Sequence, residues 1–290
     1  MSELQRLVGE ELLQPVDPRV AAVAAAIAAR HGQASRAVLF YGSCLRERQL
    51  DGLMLDFYLI VSDYRSAYPA GWLAGANRLV PPNVFPFAHG GLTAKYAVLS
   101  EADFHRLNGP ETRNVSVWAR FAQPSRLVWS SDRAAEDRAV AAVARAAPTL
   151  LSAALTELPN DQPPLDLWRG AFALTYSAEL RAEKKGKGGS VVDVDPQRYL
   201  RFTAPALSAA RAEGRRQAAG WRRRRIEGKL LSVLRLAKAS ATFAGGAEYI
   251  AWKINRHAGT DIRLAGWQKR WPLLAAITLA PRLIRSKAVR

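Results

Sequence analysis

Two apolar runs restrict this chain more than anything else in it: AVLFY (37–41) and LMLDFYLIV (53–61). Neither run alternates, so apolar side chains fall on both parities. A strand carries such a run when both of its faces are covered. The pair therefore predicts buried strands of a sheet with a layer on each side. One residue breaks the pattern. Asp56 lies between Leu55 and Phe57, where an isolated carboxylate must shift its pKa or find a partner. A strand-edge charge or a salt bridge would satisfy it. A metal ion would also do so, and would give the chain a reason to retain the charge.

The turn just before supplies the other half of a site. Gly42 lets the backbone approach a phosphate closely. Successive N–H groups and the Ser43 hydroxyl can then cradle its oxygens. Gly-Ser alone is weak; joined to an apolar-embedded aspartate at this spacing it gains weight. The order strand, Gly-Ser, strand with aspartate resembles nucleotidyltransferases of the polymerase-β type. That superfamily usually places two carboxylates two residues apart on the second strand. Here the second position is Tyr58, and neither Asp51 nor Asp63 has the spacing to replace it.

The rest of the chain divides by pattern. PRVAAVAAAIAAR (18–30) reads as a helix with proline in its first turn. Pro81, Pro82, Pro86 and Gly90-Gly91 mark a long loop. LTAKYAVLS (92–100) and RLVWSS (126–131) read as further strands. From Ala134 the periods become helical and Ala-rich. PNDQPP (159–164) is a loop, a helix follows in DLWRGAFALTYSAELRAE, and KKGKGGS (184–190) is a basic loop. A basic helix is expected over roughly 206–239 and another helical stretch around 246–257. Strands first and helices second give an α+β chain: a domain over 1–132 with a mixed sheet, a mainly helical domain over 133–265, and a basic amphipathic tail over 266–290.

Charge is concentrated in the last third. Residues 1–210 hold 23 Lys/Arg against 21 Asp/Glu, whereas residues 211–290 hold 19 against 4. Such a field attracts polyanions, either nucleic acid or an anionic lipid surface. WRRRR (221–225) followed by IEGKLLSVLRLAKA predicts a helix with apolar residues on one side and basic ones on the other. In the tail, Trp267, Lys269, Arg270 and Trp271 stand beside a short apolar stretch, the make-up of an interfacial anchor. Packing of the tail as core, or RNA binding by the basic helix, are the alternatives. The longest late apolar run, 273–280, is far below the roughly 20 residues of a membrane span. A single cysteine, Cys44, excludes an internal disulfide and a cysteine-only zinc site. The N-terminus lacks the basic and apolar regions of a signal peptide. These features predict a soluble or membrane-surface protein of a reducing compartment. The histidines, His31, His89, His105 and His257, are too scattered to suggest a metal site.

The missing second carboxylate narrows the resemblance. YGSCLRERQLDGLMLDFYLIVSD (41–63) resembles the mitochondrial-type phosphatidate cytidylyltransferases, the peripheral CDP-diacylglycerol synthases of translocator-maintenance type. Their hallmark runs YGSG, a variable stretch, then MLDF and an acidic turn. LTAKYAVLS is similar to that family's KYGV-S strand, and LTYSAELR (174–181) to its LSYSGDFR. RLAKASATFAGG (235–246) is similar to a late RQ-TKG-FTAG segment. The blocks are collinear over most of the chain. Cys44 and Ala178 stand where the family has glycines.

The resemblance implies a polymerase-β-like nucleotidyltransferase that moves CMP from CTP to a lipid phosphate, phosphatidic acid above all, with Mg²⁺ as cofactor and pyrophosphate released. A related acceptor such as a ceramide phosphate is the alternative. On this reading Tyr41, Gly42, Ser43 and Lys95 meet the nucleotide. Asp56 binds the metal, with Asp51 or Glu179 as candidates to complete the ligand set. Tyr176, Ser177, Arg181, Lys184 and Lys185 meet the lipid phosphate. The expected partners are CTP, the anionic lipid substrate and an anionic membrane surface at the inner face of the cell membrane. Neither a nucleic acid nor a protein partner is expected.

Overall fold

The computed structural model describes residues 1–47, 50–179, 191–212 and 220–242, together with Gly266. Five strands form one mixed sheet: β1 (Ser35–Tyr41), β2 (Met54–Val61), β3 (Asn83–His89), β4 (Leu92–Ser100) and β5 (Ser125–Ser130), in the order β3-β4-β2-β1-β5. β1 runs antiparallel to both β2 and β5, and β3 runs antiparallel to β4. β2 and β4 are parallel. The two runs that resist alternation, β1 and β2, are thus interior strands, and side chains on both of their faces are buried.

Each face has its own core. One contains Val38, Phe40, Leu55, Phe57, Leu59 and Val61 and is closed by the helix Pro18–His31. That helix starts where the sequence predicts. Asp17 caps it by accepting from Arg19 N at 2.8 Å, and Pro18 occupies its first turn. The other face holds Leu39, Tyr58, Ile60, Ala97 and Leu99. It is continuous with the apolar sides of the helices Glu3–Leu12, Glu101–Asn108, Arg133–Ala144, Ala146–Ala154 and Pro164–Ala178. Asp56, two residues before Tyr58, points to this second face.

The expected long loop around Pro81–Gly91 is instead mostly strand. β3 passes through Pro86 and turns at Gly90-Gly91 directly into β4. Pro86 is tolerated because β3 is the outer strand, where a missing N–H costs no ladder bond. The two glycines have φ of 56° and 77°, as a tight two-residue hairpin demands.

The single basic helix expected over 206–239 is likewise corrected. One helix runs Pro196–Ala212 and a second Trp221–Thr242. Gly220 lies outside helical conformation, and its carbonyl accepts from Arg223 N and Arg224 N at 3.0 and 3.2 Å. Glycine is a poor helix interior residue and a natural point for such a break. The second helix turns Trp221 and Arg224 inward. Trp221 Nε1 donates to Ala153 O at 2.8 Å and Arg224 Nη1 to Arg113 O at 2.9 Å. Gly228 approaches Ala178 so closely that a Cβ would fall 2.2 Å from its carbonyl oxygen. Ile226, Leu230 and Leu234 remain exposed beside Arg222, Arg223, Arg225 and Lys229.

Candidate active site

Antiparallel pairing sets Tyr41 opposite Asp56, and parallel pairing sets Lys95 on its other side. Three side chains that are distant in sequence are therefore neighbours on one sheet face. Directly after Tyr41 the chain turns at Gly42, with φ of 96°. Glycine is required there twice. The conformation is one that L residues rarely adopt, and a Cβ would lie 3.2 Å from Asp56 Oδ2. The turn thus packs its bare backbone against the carboxylate. Ser43 follows, exposed at the start of the short helix Ser43–Glu47.

The Asp56 side chain keeps 22% of its accessible surface, and its Oδ1 pairs with Lys95 Nζ at 3.0 Å. That oxygen is itself shielded from solvent and receives no well-aligned hydrogen bond, so the pairing is chiefly coulombic. The donor set suits a hard cation in one respect: a carboxylate stands against the Gly42 turn, with a lysine as its only ion-pair partner among the described residues. Mg²⁺ is commonly held by one or two carboxylates together with substrate phosphates, and one carboxylate is what Asp56 provides. The other expected ligands have ion-pair partners of their own. Asp51 is 80% exposed and pairs with Arg19 Nη1 at 3.1 Å. Glu179 is 7% exposed and pairs with Arg120 Nη1 at 3.6 Å. No group of three or more His, Cys, Asp or Glu that could hold a metal occurs among the described residues.

Tyr58 stands where a second carboxylate was expected from the superfamily pattern. It is fully enclosed, with its ring 5.3 Å from that of Tyr41 and 5.2 Å from that of Phe121. Burial raises its phenol above the ordinary pKa despite the nearby guanidinium of Arg120. Tyr41 is raised well above the ordinary value, first by burial and then by the charge of Asp56. Both are neutral hydrogen-bond donors at physiological pH.

Beside the tyrosines opens a cavity of about 160 Å³ whose polar lining includes Tyr41, Tyr58, Lys95, Arg120, Arg235 and Lys238. Four cations from three parts of the chain meet there, Lys95 from β4 among them. Arg120 comes from the short helix Trp118–Phe121. Burial opposes its charge, but Glu179 and then Tyr58, Tyr41 and Asp56 outweigh that and hold its pKa above the usual range. Arg235 and Lys238, one turn apart on the Trp221–Thr242 helix, reach across to the segment before β3. Arg235 Nε donates to Pro81 O at 2.8 Å. Lys238 Nζ donates to Val80 O and, at 2.9 Å, to Pro82 O. Burial lowers both pKa values; Arg235 then lowers that of Lys238, which falls to about 7.

Sequence reading missed Arg120, Arg235 and Lys238 as site residues. Arg120 lies in WARF, which carries no motif. Arg235 and Lys238 lie in RLAKASATFAGG, where the i, i+3 spacing was the available signal. Of the residues expected at a lipid phosphate, Tyr176 is half-buried against the core, and Ser177 is exposed, with its hydroxyl donating to Leu174 O at 2.7 Å. Arg181, Lys184, Lys185, Trp267, Lys269, Arg270 and Trp271 lie outside the described residues, as does the stretch expected to be helical around 246–257. None of the described helices is long and apolar enough to cross a membrane.

Compared with protein-family models and with curated proteins, the chain gives no match.

Proposed function

We propose that this chain is a polymerase-β-like nucleotidyltransferase that transfers CMP from CTP to a membrane lipid phosphate, with phosphatidic acid as the preferred acceptor. One observation carries the proposal: the Gly42 turn packs against the carboxylate of Asp56, which pairs with Lys95, a residue in the lining of a cationic cavity. A turn that exposes a hydroxyl, a carboxylate fit for a metal and a basic recess are what joining two phosphate esters requires.

The acceptor phosphate already carries a nucleophilic oxygen, so no strong base is needed. That oxygen attacks the α-phosphorus of CTP. A new P–O bond forms as the bond to the α–β bridging oxygen breaks, and pyrophosphate leaves with the electron pair. The protein's part is to position two anions and offset their charge. Ser43 and the backbone at Gly42 orient the triphosphate. Lys95, now paired to Asp56, turns its charge to phosphate oxygens. Mg²⁺, when bound, supplies the remaining positive charge, and Asp56 is the residue that would hold it.

Support for a lipid acceptor comes from the outer side of the Trp221–Thr242 helix. Ile226, Leu230 and Leu234 are exposed in a row, with Arg222, Arg223, Arg225 and Lys229 around them. An apolar stripe edged by cations suits an anionic bilayer surface.

The test is direct. The protein is incubated with Mg²⁺, each of the four nucleoside triphosphates, and vesicles carrying phosphatidic acid or ceramide phosphate, and pyrophosphate release is followed. Release with CTP and phosphatidic acid is the expected result. Absence of release with every pair would refute the proposal, and release with ceramide phosphate alone would reassign the acceptor.

A further inference from the structure

We propose that the cavity beside Tyr58 is a subsite for a phosphate monoester, with Arg120, Arg235 and Lys238 as its ligands. It rests on the reading above in one respect: the monoester is taken to be that of the acceptor and not the terminal phosphate of the nucleotide.

Register along the sheet favours that assignment. The Gly42-Ser43 turn, then the Tyr41–Asp56–Lys95 row, then the Tyr58–Ala97 row follow one another down the same face. Rows two residues apart on a strand are separated by roughly 7 Å. The cavity is lined from both rows, by Tyr41 and Lys95 on either side of Asp56 and by Tyr58 and Ala97 beyond it, so Asp56 has the turn on one side and the cavity beside it. A triphosphate on the turn and a monoester in the cavity would flank the same carboxylate. Tyr58 then acquires a purpose. A second carboxylate at that position would repel an anion in the cavity, whereas a neutral phenol can donate to it.

The lining is built for negative charge. Arg235 and Lys238 reach carbonyls at Pro81, Val80 and Pro82, which fix both side chains at the cavity wall. Arg120 and Arg235 each oppose the charge of the next cation in the row. Among the described residues, the acidic groups that bear on these cations are Glu179, which pairs with Arg120, and Asp56, which pairs with Lys95. A dianion would relieve the mutual repulsion and accept charge-assisted hydrogen bonds from both guanidinium groups. The volume of about 160 Å³ is ample for a phosphate group with waters, each of which claims about 30 Å³ in the liquid.

The experiment uses the full chain and measures two affinities by titration calorimetry, one for glycerol 3-phosphate and one for CTP. Arg235→Gln and Lys238→Gln should each weaken glycerol 3-phosphate by about tenfold or more, the loss of one charge-assisted bond, and leave CTP within about twofold. Arg133→Gln, an exposed arginine on the helix Arg133–Ala144, should change neither. Lys238→Arg keeps charge and donors and should restore most of the monoester affinity, which loss of the tether to Pro82 alone would not predict for a changed side-chain shape. Unchanged monoester affinity in folded variants would overturn the subsite. So would absence of monoester binding by the wild type, an equal loss in Arg133→Gln, or loss of CTP affinity in place of monoester affinity. The transferase reading can fail separately: if no nucleotide yields pyrophosphate while the monoester losses hold, the subsite stands and the reaction does not.

Discussion

Gly42→Ala isolates the close approach on which the site depends. Two costs arise from one methyl group. The first is conformational: φ of 96° is a region where a non-glycine residue pays about 1–3 kcal/mol. The second is steric, because the new Cβ would sit 3.2 Å from Asp56 Oδ2 and 3.6 Å from its Cβ. The 3.6 Å contact is an ordinary one, but the oxygen must yield by a few tenths of an ångström, and the carboxylate is the part that can move. Gly52→Ala provides the control. Gly52 also has positive φ, 74°, but no atom lies within 4 Å of its would-be Cβ. Urea unfolding should therefore show losses of about 1–3 kcal/mol for both variants. Turnover should separate them. A catalytic group displaced by up to about 1 Å can cost on the order of a hundredfold in rate, so Gly42→Ala should lose tenfold or more, roughly, while Gly52→Ala stays near wild type. Equal turnover in the two variants, measured well below their melting points, would refute the claim that the turn positions Asp56.

Asp56→Asn should keep the fold and abolish pyrophosphate release, a loss of several kcal/mol of transition-state stabilisation; near-normal turnover would remove Asp56 from the chemistry. Ser43→Ala should raise the apparent KM for CTP and leave that for the lipid unchanged, and an unchanged CTP response would make the hydroxyl structural. Lys238 carries a pH signature. Its pKa falls from 10.5 to about 7 on folding, so between those values the unfolded chain binds more protons and stability rises with pH. The penalty is fully present below pH 7, and Lys238→Met should therefore gain more in melting temperature over wild type at pH 6 than at pH 9. Removal of residues 266–290 should lower binding to anionic vesicles and its salt sensitivity while sparing CTP affinity, and full vesicle binding by the truncated chain would discard the tail as an anchor.

Local pattern was enough for several features. The unalternating runs announced β1 and β2 as interior strands, because only a strand covered on both faces can be apolar on both parities. The Asp17-Pro18 start of the first long Ala-rich helix was legible from capping chemistry alone. Asp56 stood out by its apolar neighbours, and its adjacency to Gly42 followed once the two strands paired. Other features depend on contacts that no local window contains. Pro86 reads as a loop residue until sheet order puts β3 at the edge, where its missing N–H is harmless. Arg224 reads as one more cation in WRRRR, yet it is buried on the carbonyls of Thr112 and Arg113. The cavity is the clearest case. Lys238 meets Pro82 across 156 residues of sequence, and Arg120 enters from a four-residue helix with no motif. Spacing and period reveal which side chains share a strand or a helix face. Which cations from separate elements converge on one recess is decided by how those elements pack, and only the tertiary structure holds that information.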